Sequence, residues 1–287
     1  GMIKAKSWTL VTYQKLPAFN GTPQTKMSYI SQMNLSGNFP TKVINKRLPG
    51  YLMYLDRIRI QFDKSLCMDS TRRANFVESI EGYGGDYKVY EKARLATSLT
   101  SFDEFDELPI KTKVKTSSPL VSSTIGRKPK EHIAWGKSEI IVRASMEQVL
   151  AFMWHFDSRA RTKESDLEKT IVENKTPHNL LGYVCKKGTD KGFLKLLPRD
   201  GLNMNVWKLY DKDTIVFSGS PIEDDRKPVG ASRVRINMPI TAKLERLSDN
   251  RCRLTYCHSL SMGEQAPNAV TVRVLDYLIK RNLKLTE

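Results

Sequence analysis

The sequence predicts an α+β protein in which a curved antiparallel sheet grips one long C-terminal helix. Short segments with the alternation of β-strands follow one another from residue 167 to residue 259, an order typical of antiparallel sheets. A helical pattern precedes this run, and another begins at Pro267, in keeping with the preference for proline in a first helical turn. Two further strand patterns and one helical pattern come before all of these.

The N-terminal segments at 5–13 and 26–33 alternate as strands do, and a loop containing proline and glycine joins them. A helix is predicted to begin at Pro40. Apolar residues recur along it every three or four positions, as expected for one buried face; they are Ile44, Leu48, Tyr51, Leu55, Ile58 and Phe62. Pro49 and Gly50 lie within this pattern and are expected to kink or break the helix.

Residues 70–100 have a helical, amphipathic pattern that EGYGGDY interrupts. No strand precedes these glycines and no Lys-Ser/Thr pair follows them, so they predict a turn and not a nucleotide-binding loop. Residues 108–130 are rich in Ser, Thr, Lys and Pro, which is typical of a linker or of edge strands.

The second half begins with a strand at 135–145. Ser145 and Gln148 have the spacing of a capping box, which predicts that a helix starts after Ser145. The strands predicted after that helix are LEKTIVEN, LLGYVCKK, NMNVWKLY, TIVFSGS, SRVRINM, TAKLERL and CRLTYCHS. On the third of these, Asn203, Asn205 and Trp207 should face one side and Leu202, Met204 and Val206 the other.

The chain of 287 residues has a formal net charge of +16. This charge admits binding to nucleic acid, attraction to an anionic membrane surface, or mere solubility. Lysine and arginine are spread out, with mild concentrations at 111–143 and 226–253, which disfavours nucleic acid. The four cysteines form no CxxC pair, and the start of the chain lacks the apolar core of a secretory signal. These features predict reduced thiols and a cytoplasmic location.

Signs of catalysis are weak. The four histidines are scattered, with no HExxH motif and no His-rich cluster, and no GxSxG elbow is present. We therefore predict no catalytic residue, no metal site and no cofactor.

In the segment from Leu196 to Met238, an Arg-Asp pair at Arg199 and Asp200 precedes an aromatic on the same strand, and Pro-x-Gly and Val-Arg elements follow. With these motifs in this order, the segment resembles the START (StAR-related lipid transfer) domain family. CRLTYCHSLSMGEQAP is similar to the family's Leu-Thr-Tyr strand, its glycine turn and the proline of its terminal helix. The resemblance covers roughly residues 85–287 and implies a helix-grip fold.

The same resemblance implies non-enzymatic binding, and also transfer, of a single lipid in an apolar tunnel. The residues predicted to contact it are Tyr183, Met204, Asn205, Trp207, Val216, Val234, Ile236, Tyr256, His258, Val270, Val274 and Leu278. Sterol-binding members carry an arginine where this chain has Asn205, with an acidic partner on the preceding strand. That strand has no acid here, so an uncharged head group held by Asn205, Tyr256 or His258 fits as well.

The loop 186–197 resembles the family's gate. Its lysines surround Phe193 and Leu194, a combination suited to transient contact with an anionic membrane. Two alternatives to lipid binding stay open: an interaction scaffold with a closed tunnel, and an enzyme of the cyclase or hydrolase type within the helix-grip superfamily.

The two ends of the chain also resemble each other. At an offset of 227 residues, the pairs that match are Tyr29 with Tyr256, Pro40 with Pro267, Val43 with Val270, Lys46 with Arg273 and Leu48 with Leu275. The domains predicted are therefore 1–66 as the rear half of an upstream START-like repeat, 67–130 as a helical and linker segment, and 131–287 as the main body. The chain would then be part of a tandem-START protein, and the half-repeat offers a surface for homo-association.

Overall fold

The computed structural model forms two compact units, Gly1–Ser65 and Leu66–Glu287. It describes residues 6–19, 22–34, 41–63, 65–116, 118–128, 131, 133–191, 194–230 and 232–261. Assigning the first unit to an upstream repeat remains a prediction.

The N-terminal unit consists of strands β1 (Lys6–Phe19) and β2 (Thr22–Asn34) and helix α1 (Thr41–Phe62). The strands pair in antiparallel register, with Leu10 opposite Ile30. The rings of Tyr29 and Tyr54 lie 6.5 Å apart and join hairpin to helix. Of the kink or break predicted at Pro49 and Gly50, the break is wrong, because α1 continues through Pro49 without interruption.

Three α-helices belong to the second unit: α2 (Ser65–Ile80), α3 (Val89–Asp106) and α4 (Met146–Trp154). The turn predicted at EGYGGDY separates the first two, and Gly82 adopts a φ of 71° there, a conformation that favours glycine. At the start of α4 the capping box is formed, since Gln148 N donates to Ser145 Oγ at 3.2 Å and Ser145 N donates to Gln148 Oε1 at 3.1 Å.

A ten-stranded sheet dominates this unit. Its strands are β3 (Ile110–Val114), β4 (Val121–Arg127), β5 (Ile133–Val142), β6 (Asp166–Thr176), β7 (Asn179–Lys186), β10 (Arg199–Asp211), β11 (Thr214–Pro221), β12 (Val234–Arg235), β13 (Ile240–Ser248) and β14 (Arg251–Ser261). Strands β8 (Thr189–Lys191) and β9 (Leu194–Leu196) form a separate pair.

The strand order across the sheet is β3-β4-β5-β14-β13-β11-β10-β7-β6, and all of these neighbours are antiparallel. The Ser- and Lys-rich segment 108–130 thus supplies strands at one edge. Lysine on an edge strand discourages pairing with other chains. The strand predicted at SRVRINM shrinks to two residues, which pair parallel with β10.

The two sides of the sheet bury different clusters. One side, here called the tryptophan face, carries Trp207 and packs against α4 and Phe76. The other side, the α3 face, carries Met204 and Val206, which pack with Leu95 of α3. Alternation along β10 therefore divides the two sets of residues as predicted. The terminal helix predicted from Pro267 lies outside the described residues, as do Val270, Val274 and Leu278.

Candidate ligand-binding site

Two rows of side chains cross the tryptophan face from β10 to β14. In the first row Asn205 is opposite Gly219, Gly219 is opposite Ile240, and Ile240 is opposite His258. The second row runs from Trp207 through Phe217 and Ala242 to Tyr256. Strands lie about 4.8 Å apart, so Asn205 and His258 are separated by about 14 Å, a distance that one lipid can bridge.

His258 is a buried polar side chain with no partner. It is 1% exposed, and both of its ring nitrogens lack a hydrogen bond among the residues that the structure describes. Burial lowers the pKa of its imidazole to about 4, so the ring is neutral near pH 7 and offers one donor and one acceptor. An unsatisfied buried group of this kind requires a physical explanation, and a ligand is one.

Tyr256 lies beside His258, with ring centroids 5.4 Å apart. Burial raises the pKa of its hydroxyl, and the nearby charge of Arg161 only partly opposes that shift. Tyr256 therefore keeps its proton and can donate a hydrogen bond.

Asn205 occupies a space that two glycines leave open. A Cβ on Gly219 would lie 2.8 Å from Asn205 Oδ1, and one on Gly182 would lie 3.0 Å from Asn205 Nδ2. Asn205 is itself buried. The bare backbone on both flanking strands therefore permits an amide, with its two kinds of polar atom, to lie within this face.

The remaining residues predicted as tunnel wall divide between the two faces. Trp207 and Ile236 contribute to the core of the tryptophan face, and Val234 on β12 is half-buried. Met204 and Val216 pack on the α3 face, and Tyr183 packs there with Leu202. The structure thus brings Asn205, Trp207, Tyr256 and His258 to one side of the sheet and leaves three predicted residues on the other.

Tyr183 has a different environment from the one predicted. Its hydroxyl donates to Asp200 Oδ2 at 3.0 Å and accepts from Arg233 Nη1 at 2.7 Å. Asp200 also pairs with Arg235, whose Nε lies 2.9 Å from Oδ1. The Arg-Asp motif therefore contributes its aspartate to an internal ion pair that anchors the segment after β11.

Arg161 and the pair Ser123 and Ser138 were not among the residues predicted for the site. Arg161 Nη1 donates to Phe152 O at 3.1 Å and to Met153 O at 2.6 Å, and burial lowers the pKa of its guanidinium. The two serine hydroxyls lie 2.6 Å apart in the row that continues from Tyr256. Neither set belongs to a known sequence motif that would have singled it out.

The gate-like loop 186–197 contains the short strands β8 and β9. Phe193 and the side chain of Leu194 lie outside the described residues, so membrane contact through this loop stays a prediction. Among the described residues, no group of three or more His, Cys, Asp or Glu is placed to hold a metal ion. No described helix is long and apolar enough to cross a membrane.

No protein-family model and no curated protein matches the sequence. The fold is nevertheless similar to that of human STARD10, at 14% identity and a TM-score of 0.53, over 66% of this chain and 76% of that one. Human StAR-related lipid transfer protein 5 gives 14% identity and a TM-score of 0.49, over 70% and 99% of the two chains. The lipid transfer and protein localization domain of human StarD13 gives 12% and 0.48, over 66% and 93%.

At such identities the likeness concerns the fold alone, and the conclusion about the fold rests on the comparison with human STARD10. The large antiparallel sheet with few helices agrees with that comparison, which confirms the predicted α+β class. The comparisons do not confirm a second, partial copy in the N-terminal unit. The chain therefore has the helix-grip fold of START domains.

Proposed function

We propose that this protein binds one lipid, without catalysing a reaction on it, against the tryptophan face of its sheet. The observation that carries the proposal is that Asn205, Tyr256 and His258 share this face and that both ring nitrogens of His258 lack a hydrogen-bond partner among the described residues. A neutral imidazole, a protonated phenol and an amide suit the hydroxyl or carbonyl groups of a lipid head group.

The apolar part of the lipid would lie against the aromatic and aliphatic residues of the same face. Burying an acyl chain or a sterol there is worth about 0.8 kcal/mol for each methylene removed from water. The polar groups contribute orientation, since a buried donor or acceptor without a partner costs about 1–3 kcal/mol. Binding therefore gives the ring nitrogens of His258 a partner while it removes apolar surface from water. The fold that the chain shares with human STARD10 supports this proposal.

The test is native mass spectrometry of the purified chain, followed by organic extraction and lipid analysis. A stoichiometric extra mass that extracts as a lipid supports the proposal and identifies the ligand class. Tyr256→Phe should lower lipid occupancy several-fold, because it removes one hydroxyl and little else. Thr255→Val is the matched control, since Thr255 lies on the same strand and, by alternation, faces the other side.

A closed scaffold is the second candidate function. Its support is the aromatic cluster at one end of the tryptophan face, where Phe76 stacks on Trp154 at 5.7 Å and meets Trp207 edge-on at 5.9 Å. A bare protein mass that stays unchanged after incubation with mixed liposomes would favour this candidate and overturn the first. We also propose that residues 1–66 derive from a START-like repeat, on the basis of the sequence offset of 227.

A further inference from the structure

The hairpin of the N-terminal unit exposes an apolar ladder on one of its faces. Trp8 is 75% exposed, Leu10 58% and Ile30 66%. Leu10 and Ile30 are direct cross-strand partners, and Trp8 follows two positions from Leu10 on the same side. We call this side the Trp8 face. The opposite side is the one whose Tyr29 meets Tyr54 of α1.

An exposed ladder of this kind needs an explanation, because large apolar side chains on one surface are typical of interaction sites. A two-stranded hairpin is also only marginally stable in water on its own. Within the described part of the unit, α1 supports one side of the hairpin, and the Trp8 face has no such cover.

The electrostatics of the unit restrict what can cover this face. Residues 6–63 contain eight lysines and arginines and two aspartates, and the hairpin segment 6–34 contains no acidic residue. Lys6 and Lys26 lie, by alternation, on the Trp8 face itself, on either side of the apolar ladder. The surface is therefore apolar in the middle and cationic toward both ends.

We propose that the Trp8 face docks on an anionic lipid bilayer. Tryptophan with aliphatic neighbours inserts at the boundary between head groups and acyl chains, and lysines at the rim attract anionic lipid head groups. This inference goes beyond binding one lipid in the sheet of the second unit, and it does not depend on that proposal.

Two other occupants fit the observations less well. A second copy would bring two units of the same strong positive charge face to face, which charge repulsion opposes. Nucleic acid needs cations against its phosphates together with aromatic residues that stack on bases. The centre of the Trp8 face has two aliphatic residues and no cation, which suits acyl chains better.

The experiment measures binding of the full chain to vesicles by flotation. The vesicles contain either phosphatidylcholine alone or phosphatidylcholine with about 30% phosphatidylserine, at low and at physiological salt. We expect the anionic vesicles to bind at least about tenfold more protein than the vesicles of phosphatidylcholine alone. This binding should weaken at physiological salt, where the Debye length is about 8 Å. The triple variant W8S/L10S/I30S should bind them about tenfold more weakly than the original chain.

The matched control is Y13S/M33S, which removes two exposed apolar residues from the opposite side of the hairpin. It should bind vesicles within about twofold of the unaltered chain, and far-UV circular dichroism should show that both variants stay folded. Equal binding by the triple variant and the control would overturn the proposal. The proposal would also be overturned if the original chain were a dimer and the triple variant, but not the control, were a monomer. A third contrary outcome is an original chain that binds duplex DNA but no vesicles, with the DNA binding lost in the triple variant.

Native mass spectrometry of the triple variant separates this proposal from the previous one. A variant that retains its bound lipid but no longer floats with anionic vesicles supports docking through the Trp8 face alone. An original chain that floats with vesicles but carries no lipid would contradict the proposed function and leave the docking surface intact.

Discussion

His178 and His258 are both buried, with exposures of 2% and 1%, but their surroundings differ completely. His178 Nδ1 lies 2.6 Å from the Tyr83 hydroxyl, and its Nε2 lies 3.1 Å from Glu91 Oε2. An ionised carboxylate only accepts, so Nε2 donates to Glu91 and Tyr83 donates to Nδ1. Both nitrogens of His258 have no partner among the described residues.

This difference separates a structural histidine from a candidate ligand contact. Glu91 begins α3 by accepting from Lys88 N at 2.8 Å, and Asn179 on β7 donates to the same carboxylate. The network around His178 thus fastens α3 to the turn between β6 and β7. Both ring nitrogens of His178 already have partners and leave nothing for a ligand to satisfy there, whereas the unsatisfied ring of His258 gains from a ligand.

Removing Glu91 from the network around His178 should have the largest effect on stability. Glu91→Ala removes the acceptor of two buried donors, His178 Nε2 and Asn179 Nδ2, and of the part-buried Lys88 N, and we expect a loss of about 3–5 kcal/mol in the free energy of unfolding. Urea denaturation at pH 7 measures it. Glu91→Gln, which keeps an acceptor oxygen, should cost clearly less. A loss below about 1 kcal/mol for the alanine variant would contradict the role of the network.

His258 and His155 should both make the stability of the protein depend on pH. Burial lowers the pKa of each to about 4, whereas an unfolded histidine titrates near about 6.5. Between these values the unfolded chain binds protons that the folded chain refuses, so stability falls as the pH drops from 6.5 to 4 and is unaffected above that window. Each histidine contributes about 3 kcal/mol over the window.

Urea midpoints at pH 6.5, 5.5 and 4.5 measure this fall. In His258→Leu the fall in unfolding free energy should be smaller by the contribution of one histidine. A substitution at His132, which lies outside the described residues, serves as the reference for the loss of any one histidine. An identical pH profile in His258→Leu and in the original chain would contradict the burial of a neutral imidazole.

At pH 7, His258→Leu should change stability and binding in opposite directions. Removing two unsatisfied nitrogens from the core should raise the unfolding free energy of the lipid-free protein by about 1–2 kcal/mol. The same change removes a head-group contact, so the lipid occupancy seen by native mass spectrometry should fall about tenfold. If His258→Leu is less stable than the original chain and carries as much lipid, then His258 is a structural histidine like His178 and not a ligand contact.

Much of the fold could be predicted because strand alternation and capping are local signals. The box at Ser145 and Gln148, the turn at EGYGGDY and the two faces of β10 all follow from spacing along the chain. Pro49 was predicted to kink or break α1, but a proline removes only one hydrogen bond of a helix, and the 22 residues of α1 form one continuous helix.

The site was harder to predict, because its members depend on which face of the sheet is covered by which helix. Tyr183, Met204 and Val216 are as apolar or aromatic as Trp207, and only the side of the sheet on which they lie distinguishes them from it. Glu91 and His178, which contact each other, lie 87 residues apart in sequence, and no local pattern predicts such a contact. The glycines beside Asn205 have meaning only once strand register is known.

Those glycines allow the finest test of the site. Gly219→Ala would place a Cβ 2.8 Å from Asn205 Oδ1, whereas a Cβ on Gly201 would meet nothing closer than Ile236 O at 3.8 Å. Alanine at Gly201 should be neutral or stabilise by up to about 1 kcal/mol, because it restricts the unfolded chain. Alanine at Gly219 should cost about 1 kcal/mol, since Asn205 must turn away.

Lipid occupancy should follow the same division. Gly219→Ala should reduce it several-fold and Gly201→Ala should leave it unchanged, as measured by native mass spectrometry on chains purified in parallel. Both glycines lie in strands that flank or form β10, so a general weakening of the sheet would affect both variants alike. Equal occupancy in the two variants would mean that Asn205 does not contact the lipid, and that His258 and Tyr256 alone hold its head group.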